Sequence, residues 1–267
     1  MSLISSSTNP KIKQVRLLRQ RKYRQESGLL VVEGIHPVGE ATAAAPNGCR
    51  IDSIFYAPDL LKSNFALGLI EQQAQQGIPV YPVTREIFTS VADKENPQGI
   101  LALVRPRLFE LNGLNPNIFP WGVALVAPQD PGNIGTILRT IDAVGASGLI
   151  LLDASADPYH PSAVRASMGT LFWYPIVQAP FNQFALWASG NGYTLYGTSA
   201  HGSLDYRQLE HYSRPAILVL GSEREGLSEE EITSCDFLLR LPMHGRVSSL
   251  NLAVAAGVLL YTMLEHP

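Results

Sequence analysis

The chain has 267 residues, of which 46% are hydrophobic and 16% are charged, and its formal net charge is −3. This composition excludes wholesale disorder, and the length allows one large domain or two modest ones. The two cysteines are far apart and the six histidines lack close ligand spacing, which argues against a disulfide scaffold and predicts no metal. The N-terminus lacks an apolar signal segment, and the longest apolar stretch, 250–264, is too short and too interrupted to span a bilayer. We therefore expect a soluble, cytoplasmic protein.

A basic segment follows the N-terminus. Thr8-Asn9-Pro10 indicates a helix start, and the helical spacing of the following apolar residues predicts a helix to about Tyr23. Seven basic residues and no acidic ones lie along it: Lys11, Lys13, Arg16, Arg19, Arg21, Lys22 and Arg24. Such a segment is typical of phosphate contact, but an ordinary solvated helix face has the same pattern. The charge alone does not decide between the two.

The rest of the first half alternates between short apolar runs and helical patterns. Strands are predicted at 29–32, 51–56, 80–83 and 100–104, and helices at 36–45, 59–76 and 85–92. This order predicts a small α/β unit. Proline, asparagine and glycine then cluster in 105–120, which predicts a linker and a domain boundary.

The second half repeats the alternation without internal sequence repeats. Strands are predicted at 123–127, 149–153, 176–178, 194–198, 217–221 and 237–241, and helices at 134–144, 162–168, 181–188, 206–210, 229–233 and about 250–264. Apolar strands that alternate with helices predict a largely parallel sheet covered on both faces. Because ligands bind at the carboxyl ends of strands in such sheets, the loops there are the candidate site.

The loop after the first of these strands contains Gly132 and Gly135, which permit close backbone approach. Asn133 can cap a helix that starts at the next residue, which would put Arg139 on the second turn. An ordinary loop with a surface arginine fits the same residues. A dinucleotide-binding turn, with Asp153 as the ribose-binding acid, is a competing interpretation, but the required G-x-G-x-x-G is absent.

Two further loops follow later strands. Gly221 stands at a strand end where a ligand can lie against the backbone, and Glu223 follows in a charged turn. In the last loop, Ser248 or Ser249 can cap the final helix, which places Asn251 in its first turn. Taken singly, each loop is also compatible with a purely structural role.

Three motifs in these loops, taken together, resemble those of the SpoU (TrmH-type) family of SPOUT RNA ribose 2′-O-methyltransferases. They are Asn133-x-Gly135-x3-Arg139, Leu220-Gly221-x-Glu223-x2-Gly226 and Ser249-Leu250-Asn251-x2-Val254-Ala255. The first half is similar to the N-terminal RNA-binding domain of that family, which is related to a ribosomal protein. The matching segments are Val32-Glu33-Gly34-x3-Val38-x-Glu40-Ala41 and Asn96-Pro97-Gln98-Gly99-Ile100-Leu101-Ala102. The resemblance covers nearly the whole chain.

The resemblance implies an α/β fold with a SPOUT-type parallel sheet and a deep trefoil knot in its C-terminal part. It implies an RNA substrate-binding domain at 1–105, a linker at 106–120 and a methyltransferase domain at 121–267. S-adenosylmethionine would lie bent in the knot, lined by four residues: Thr198, Gly221, Leu241 and Leu250. The catalytic set would be Arg139, which activates the ribose hydroxyl, with Asn133, Glu223, Ser249 and Asn251. The family's site is completed across a homodimer.

The implied activity is methyl transfer from S-adenosylmethionine to a ribose 2′-hydroxyl of RNA. A separate N-terminal domain with a basic lead helix favours ribosomal RNA over transfer RNA. The alternatives are a transfer RNA 2′-O-methyltransferase, a non-catalytic RNA-binding protein on the same scaffold, and, least favoured by the ribose-type motifs, a base methyltransferase.

Overall fold

The computed structural model describes residues 3–267. The first half contains α1 (Pro10–Leu17), α2 (Arg21–Ser27), β1 (Leu30–Glu33), α3 (Ile35–Ala43), β2 (Arg50–Tyr56), α4 (Asn64–Gln75), β3 (Val80–Pro82), α5 (Arg85–Val91) and β4 (Ile100–Arg105). The second half contains β5 (Trp121–Val126), α6 (Pro131–Val144), β6 (Leu149–Leu152), α7 (Pro161–Ala166), β7 (Ile176–Ala179), α8 (Phe181–Gly190), β8 (Thr194–Thr198), β9 (Leu204–Asp205), β10 (Ala216–Leu220), α9 (Glu229–Thr233), β11 (Phe237–Arg240) and α10 (Leu252–Glu265). No helix among the described residues is long and apolar enough to cross a membrane.

The described residues divide into two compact units. The first unit runs to Arg107 and also includes Tyr159–Trp173, whereas the second comprises Leu108–Pro158 and Tyr174–Pro267. The predicted methyltransferase range, 121–267, therefore contributes one segment to the packing of the first unit. Its α7 packs beside β1, a contact that the sequence pattern did not indicate.

In the first unit, β4 lies between β1 and β2 and is antiparallel to both, while β2 and β3 are parallel. The single basic helix predicted to reach Tyr23 is instead the pair α1 and α2. The carbonyls of Leu18 and Arg19, which a continuous helix would bond internally, accept hydrogen bonds from the buried Arg24 guanidinium at 2.8 and 2.7 Å. This arginine therefore stabilises the break between the two helices.

The second unit is built on a sheet with the order β7-β6-β5-β10-β8-β11-β9, in which each pairing among the described residues is parallel. Every residue of β5, β6 and β10 is buried, as expected for strands covered on both faces. This confirms the predicted parallel α/β architecture. The two-residue β9 was not predicted, and 206–210, predicted as helical, is a single 3-10 turn at Tyr206–Gln208.

The stretch predicted as a linker packs into the core of the second unit. Leu111, Leu114 and Phe119 are buried there, although turns separate them. The side chains of Trp187 and Tyr193 donate hydrogen bonds to the carbonyls of Leu114 and Phe119 at 3.3 and 2.8 Å. The turn-forming residues were identified correctly, but their apolar neighbours make this stretch part of the folded unit.

Candidate active site

The candidate site lies at the carboxyl edge of the parallel sheet. Strand β5 pairs with β10, β10 with β8, and β8 with β11, so the loops that follow these strands share one edge. We call the segments after β5, β10 and β11 the first, second and third site loops: 127–133, 221–228 and 241–251.

A continuous chain of side-chain hydrogen bonds joins the three site loops. The amide of Asn133 donates to Glu223 Oε1 at 2.9 Å, and its carbonyl oxygen accepts from Asn251 Nδ2 at 3.0 Å. Asn133 is 7% exposed, so its amide is held between the other two side chains with little access to water. Glu223 and Asn251 lie 90 and 118 positions after Asn133 in the chain, and the two hydrogen bonds join all three residues in one cluster.

Glu223 is also held by the first site loop. The backbone N–H groups of Gln129 and Asp130 donate to its two carboxylate oxygens at 2.9 and 3.3 Å. Desolvation raises the pKa of Glu223, but the hydrogen bonds from Gln129, Asn133 and Asp130 outweigh it, so the pKa lies below its ordinary value. At neutral pH Glu223 therefore acts as a fixed, ionised acceptor.

Helix α6 starts earlier than the sequence analysis expected. Its N-cap is Asp130, whose side chain accepts from Gly132 N at 2.8 Å, and Pro131 occupies the first helical position. The prediction that Asn133 caps this helix is wrong: Asn133 lies inside the first turn, which frees its side chain for Glu223 and Asn251. For the same reason Arg139 lies on the third turn rather than the second.

The cap of α10 also differs from the prediction. Asn251 is its N-cap, with a side-chain oxygen that accepts from the backbone N–H groups of Ala253 and Val254 at 2.9 and 3.3 Å. Neither Ser248 nor Ser249 caps the helix, and both are exposed. Asn251 therefore uses its oxygen to start the helix and its nitrogen to hold Asn133.

Two of the predicted catalytic residues lie outside this hydrogen-bonded cluster. Arg139 is exposed, and within residues 3–267 its guanidinium has no hydrogen bond or ion pair. Ser249 is likewise exposed and without a hydrogen bond to another described residue. Both side chains are therefore available to groups that are not part of this chain's own fold.

The predicted cofactor-lining residues follow β8, β10 and β11 at the same edge. Thr198 is half-buried and donates its hydroxyl to the carbonyl of Val219 at 3.3 Å. Leu241 is half-buried, and Leu250 is 38% exposed. A Cβ at Gly221 would overlap the carbonyl carbon of Gly226 and the backbone nitrogen of the next residue, so the tight second site loop already requires this glycine without any ligand.

The third site loop supplies the features that a backbone-held cofactor needs. Between residues 241 and 250, no backbone or side-chain group forms a hydrogen bond with another described residue. Unpaired backbone donors and acceptors beside apolar side chains such as Leu241 and Leu250 suit a nucleoside and an aliphatic chain. The residues present are therefore compatible with S-adenosylmethionine.

Sequence reasoning missed some members of the site. Gln129 and Asp130 contribute through backbone N–H groups, which no side-chain motif reveals, although Asp130-Pro131 is an N-cap signal that indicates the true helix start. Ala127, just before them, has a φ of 44°, an unusual value for a non-glycine residue at the start of a site loop. Asp153, the acid of the dinucleotide-binding alternative, accepts from Phe181 N at 3.0 Å at the start of α8, which is a structural role.

Comparison with known families then assigns the chain. The sequence profile of the SpoU rRNA methylase family matches residues 120–261, more than half of the chain. The chain belongs to the SpoU family. It is therefore an RNA methyltransferase, and the MRM3-like substrate-binding domain matches residues 9–102 of the same chain.

Relatives of this SpoU-family chain are similar along almost its entire length. It is 33% identical to a 23S rRNA (uridine(2479)-2′-O)-methyltransferase of Streptomyces viridochromogenes, over 94% of this chain and 87% of the relative. It is 28% identical to a 23S rRNA (guanosine(2553)-2′-O)-methyltransferase of Bacillus subtilis, over 98% of both chains. The structure of an AdoMet-bound rRNA methyltransferase from Sinorhizobium meliloti superimposes with a TM-score of 0.89 at 33% identity, covering 99% of this chain and 97% of that one.

Proposed function

We propose that this SpoU-family chain transfers a methyl group from S-adenosylmethionine to a ribose 2′-hydroxyl of ribosomal RNA. The observation that carries the proposal is the hydrogen-bonded chain Glu223–Asn133–Asn251. It joins one residue from each of the three motifs on a chain that matches the family over its catalytic part. The near full-length relatives named for 23S rRNA 2′-O-methylation support ribosomal RNA as the substrate.

S-adenosylmethionine supplies a methyl group that its positive sulfur has already activated for transfer. Thr198, Gly221, Leu241 and Leu250 would hold it at the carboxyl edge of β8, β10 and β11. The remaining task of the protein is to position the ribose and to increase the nucleophilicity of a weakly acidic hydroxyl.

We assign that task to Arg139. A guanidinium stays protonated at neutral pH, so it is unsuited to accept the hydroxyl proton. Arg139 instead donates hydrogen bonds to the ribose oxygen and stabilises the negative charge that develops on it, while an RNA phosphate accepts the proton. Ser249 and the Glu223–Asn133–Asn251 chain position the ribose. Among residues 3–267 the guanidinium of Arg139 has no partner, which supports this assignment.

We further propose that the active form is a homodimer. The exposed face of α10 and the residue before the helix start carry an apolar stripe: Leu250, Val254, Tyr261 and Leu264, each 38–52% exposed. Their spacing of three, four and seven residues puts them on one face, apart from the buried residues of α10. Burial against a second copy would cover this stripe and could bring Arg139 to the partner's cofactor.

The proposal extends to the domains and the topology. Residues 1–105 would bind the RNA substrate, 121–267 would carry the catalysis, and the reaction would occur in the cytoplasm, where ribosomal RNA is assembled. The trefoil knot belongs to the same proposal. It follows from the family resemblance and not from the strand order of the sheet.

The decisive test is methyl transfer from labelled S-adenosylmethionine to total RNA from a strain that lacks this protein, followed by nucleoside analysis. We expect a 2′-O-methylnucleoside in the ribosomal RNA fraction with the intact protein. Arg139→Ala should abolish transfer while cofactor binding is retained, and Arg207→Ala, at an exposed arginine of the second unit outside the three site loops, should leave transfer unchanged.

Label in the transfer RNA fraction would show that the substrate is transfer RNA rather than ribosomal RNA. Cofactor binding without transfer to free or ribosome-assembled RNA would favour a non-catalytic binding protein. Full activity of Arg139→Ala would remove this residue from the mechanism.

A further inference from the structure

An open groove of about 400 Å³ lies between α1 and α2 in the first unit. Its lining includes the buried Leu18, the more exposed Leu17 and the half-buried Tyr23. Lys13 and Gln14 also line it. We call it the α1–α2 groove.

The structure separates the basic residues of 11–24 into three groups. Three arginines tie the helices to the rest of the unit and are not free for a ligand. Arg16 donates to Ser7 O and Ser90 Oγ at 3.0 and 2.9 Å, and Arg19 donates to Val91 O and Ala92 O at 2.9 and 2.7 Å. Arg24 is the buried residue that stabilises the break between α1 and α2.

Two further cations have partial partners at the surface. Lys11 lies 5.6 Å from the centroid of the Tyr81 ring, and Lys22 pairs with Glu26 at 3.9 Å. That pairing partly neutralises the acidic side chain that lines the groove. By contrast, the exposed side chains of Lys13, which lines the groove, and of Arg21, two residues before Tyr23, have no hydrogen bond, ion pair or ring contact with another described residue.

We propose that the α1–α2 groove binds an unpaired nucleotide of the substrate RNA. The base packs on Tyr23 and Leu17, and the adjoining phosphates lie against Lys13 and Arg21. The inference rests on the proposed function only in taking RNA as the substrate. It adds a specific binding site whose residues lie 110 positions or more before the first catalytic motif. It also assigns the phosphate contacts to Lys13 and Arg21 rather than to the whole basic segment.

The composition of the groove favours single-stranded RNA over a protein partner. An aromatic ring and apolar side chains, with an unpaired lysine in the same groove and an unpaired arginine nearby in sequence, are what proteins use to bind unstacked bases and the backbone between them. A protein segment would need a larger apolar surface, whereas Leu17 is only 39% exposed. Duplex RNA is also disfavoured, because its bases are not available for stacking in a groove.

The test measures binding of the full-length protein to a fluorescent single-stranded oligouridylate of about 12 nucleotides, within the range that such sites cover. Tyr23→Leu, which keeps an apolar side chain but removes the ring, should weaken binding about fivefold or more, whereas Tyr23→Phe should not. Lys13→Gln should reduce the slope of log Kd against log salt concentration by about 0.7, since one phosphate contact is lost. Lys62→Gln, at an exposed lysine outside the groove, is the matched control.

Thermal melting of each variant separates loss of binding from loss of folding. Unchanged affinity and unchanged salt slope in folded Tyr23→Leu and Lys13→Gln would overturn the proposal. Failure of the proposed function gives a different result. A wild-type protein that binds the oligonucleotide as expected but transfers no methyl group would leave the α1–α2 groove in place.

Discussion

At the scale of single residues, Glu223 shows how a charged side chain can serve as a structural acceptor in a site. It receives hydrogen bonds from two consecutive backbone N–H groups and from the buried amide of Asn133. These bonds fix the second site loop to the first. Ionisation of Glu223 therefore has a consequence for stability that can be measured.

We predict that Glu223 makes the stability of the protein depend on pH in the acidic range. Its pKa in the folded state is below the ordinary glutamate value, so the carboxylate stabilises the fold above about pH 4.3. This contribution is lost as the pH falls through the lower, folded-state pKa. The measurement is urea unfolding at several pH values, with Glu223→Gln compared with Glu71→Gln at an exposed helix position.

The difference in unfolding free energy between wild type and Glu223→Gln should shrink as the pH falls below the pKa of an ordinary glutamate. A difference that stays constant across this range would contradict the role of the ionised carboxylate.

Gly221 gives a second prediction at this scale. A methyl group there would overlap main-chain atoms of Gly226 and Leu227, which cannot rotate away as a side chain can. Gly221→Ala should therefore lower the free energy of unfolding by about 1–3 kcal/mol and displace the second site loop. The control is Gly190→Ala at the end of α8, where a Cβ meets open space. Equal stability of the two variants in urea unfolding would contradict the prediction.

At the scale of elements, α10 begins at the same residue that completes the hydrogen-bonded cluster. Its N-cap, Asn251, serves the helix with its oxygen and Asn133 with its nitrogen. Helix α9 offers a comparison, because the side chain of its N-cap, Ser228, forms a capping box with Glu231 and has no hydrogen bond to Glu223, Asn133 or Asn251. Comparing variants at these two caps therefore distinguishes an effect on helix stability from an effect on the geometry of the site.

We predict that Asn251→Ser and Ser228→Ala have similar stability but different activity. Serine can still cap α10 but cannot donate to Asn133, while Ser228→Ala removes only a cap, and each change should cost about 1 kcal/mol. Methyl transfer should fall about tenfold or more in Asn251→Ser and remain near normal in Ser228→Ala. Urea unfolding and single-turnover transfer measure the two quantities. Parallel losses of activity would show that the site depends on stability alone.

At the scale of the whole molecule, the chain does not follow a simple division into a first and a second domain. Tyr159–Trp173 comes from between β6 and β7 but packs in the first unit. There, Trp173 donates to Glu40 Oε2 at 2.7 Å, and a Cβ at Gly169 would overlap the Glu40 side chain. The two units are consequently connected at more than one point along the chain.

The apolar stripe on α10 gives a prediction at the same scale. If a second copy covers it, Val254→Asp should convert the protein from dimer to monomer, because a buried unpaired carboxylate is costly at an interface. Leu186→Asp, at a 77% exposed leucine on α8, should leave the dimer intact. Sedimentation velocity measures the oligomeric state. A wild-type monomer with full methyl-transfer activity would exclude the homodimer.

Local periodicity and motifs such as Asn133-x-Gly135-x3-Arg139 are sufficient to predict the alternation of strands and helices, the parallel sheet and the family. The ends of the elements are less predictable, because the Asp130-Pro131 cap starts α6 earlier than expected and the two-residue β9 leaves no periodic signal. The tertiary structure was needed to find which residues of the basic segment hold the fold. It also decided that the 106–120 stretch is packed, and that Asn133 bonds Glu223 and Asn251. Those outcomes depend on contacts between residues distant in the chain, where one side chain's partner is set by the packing of the whole unit rather than by its neighbours in sequence.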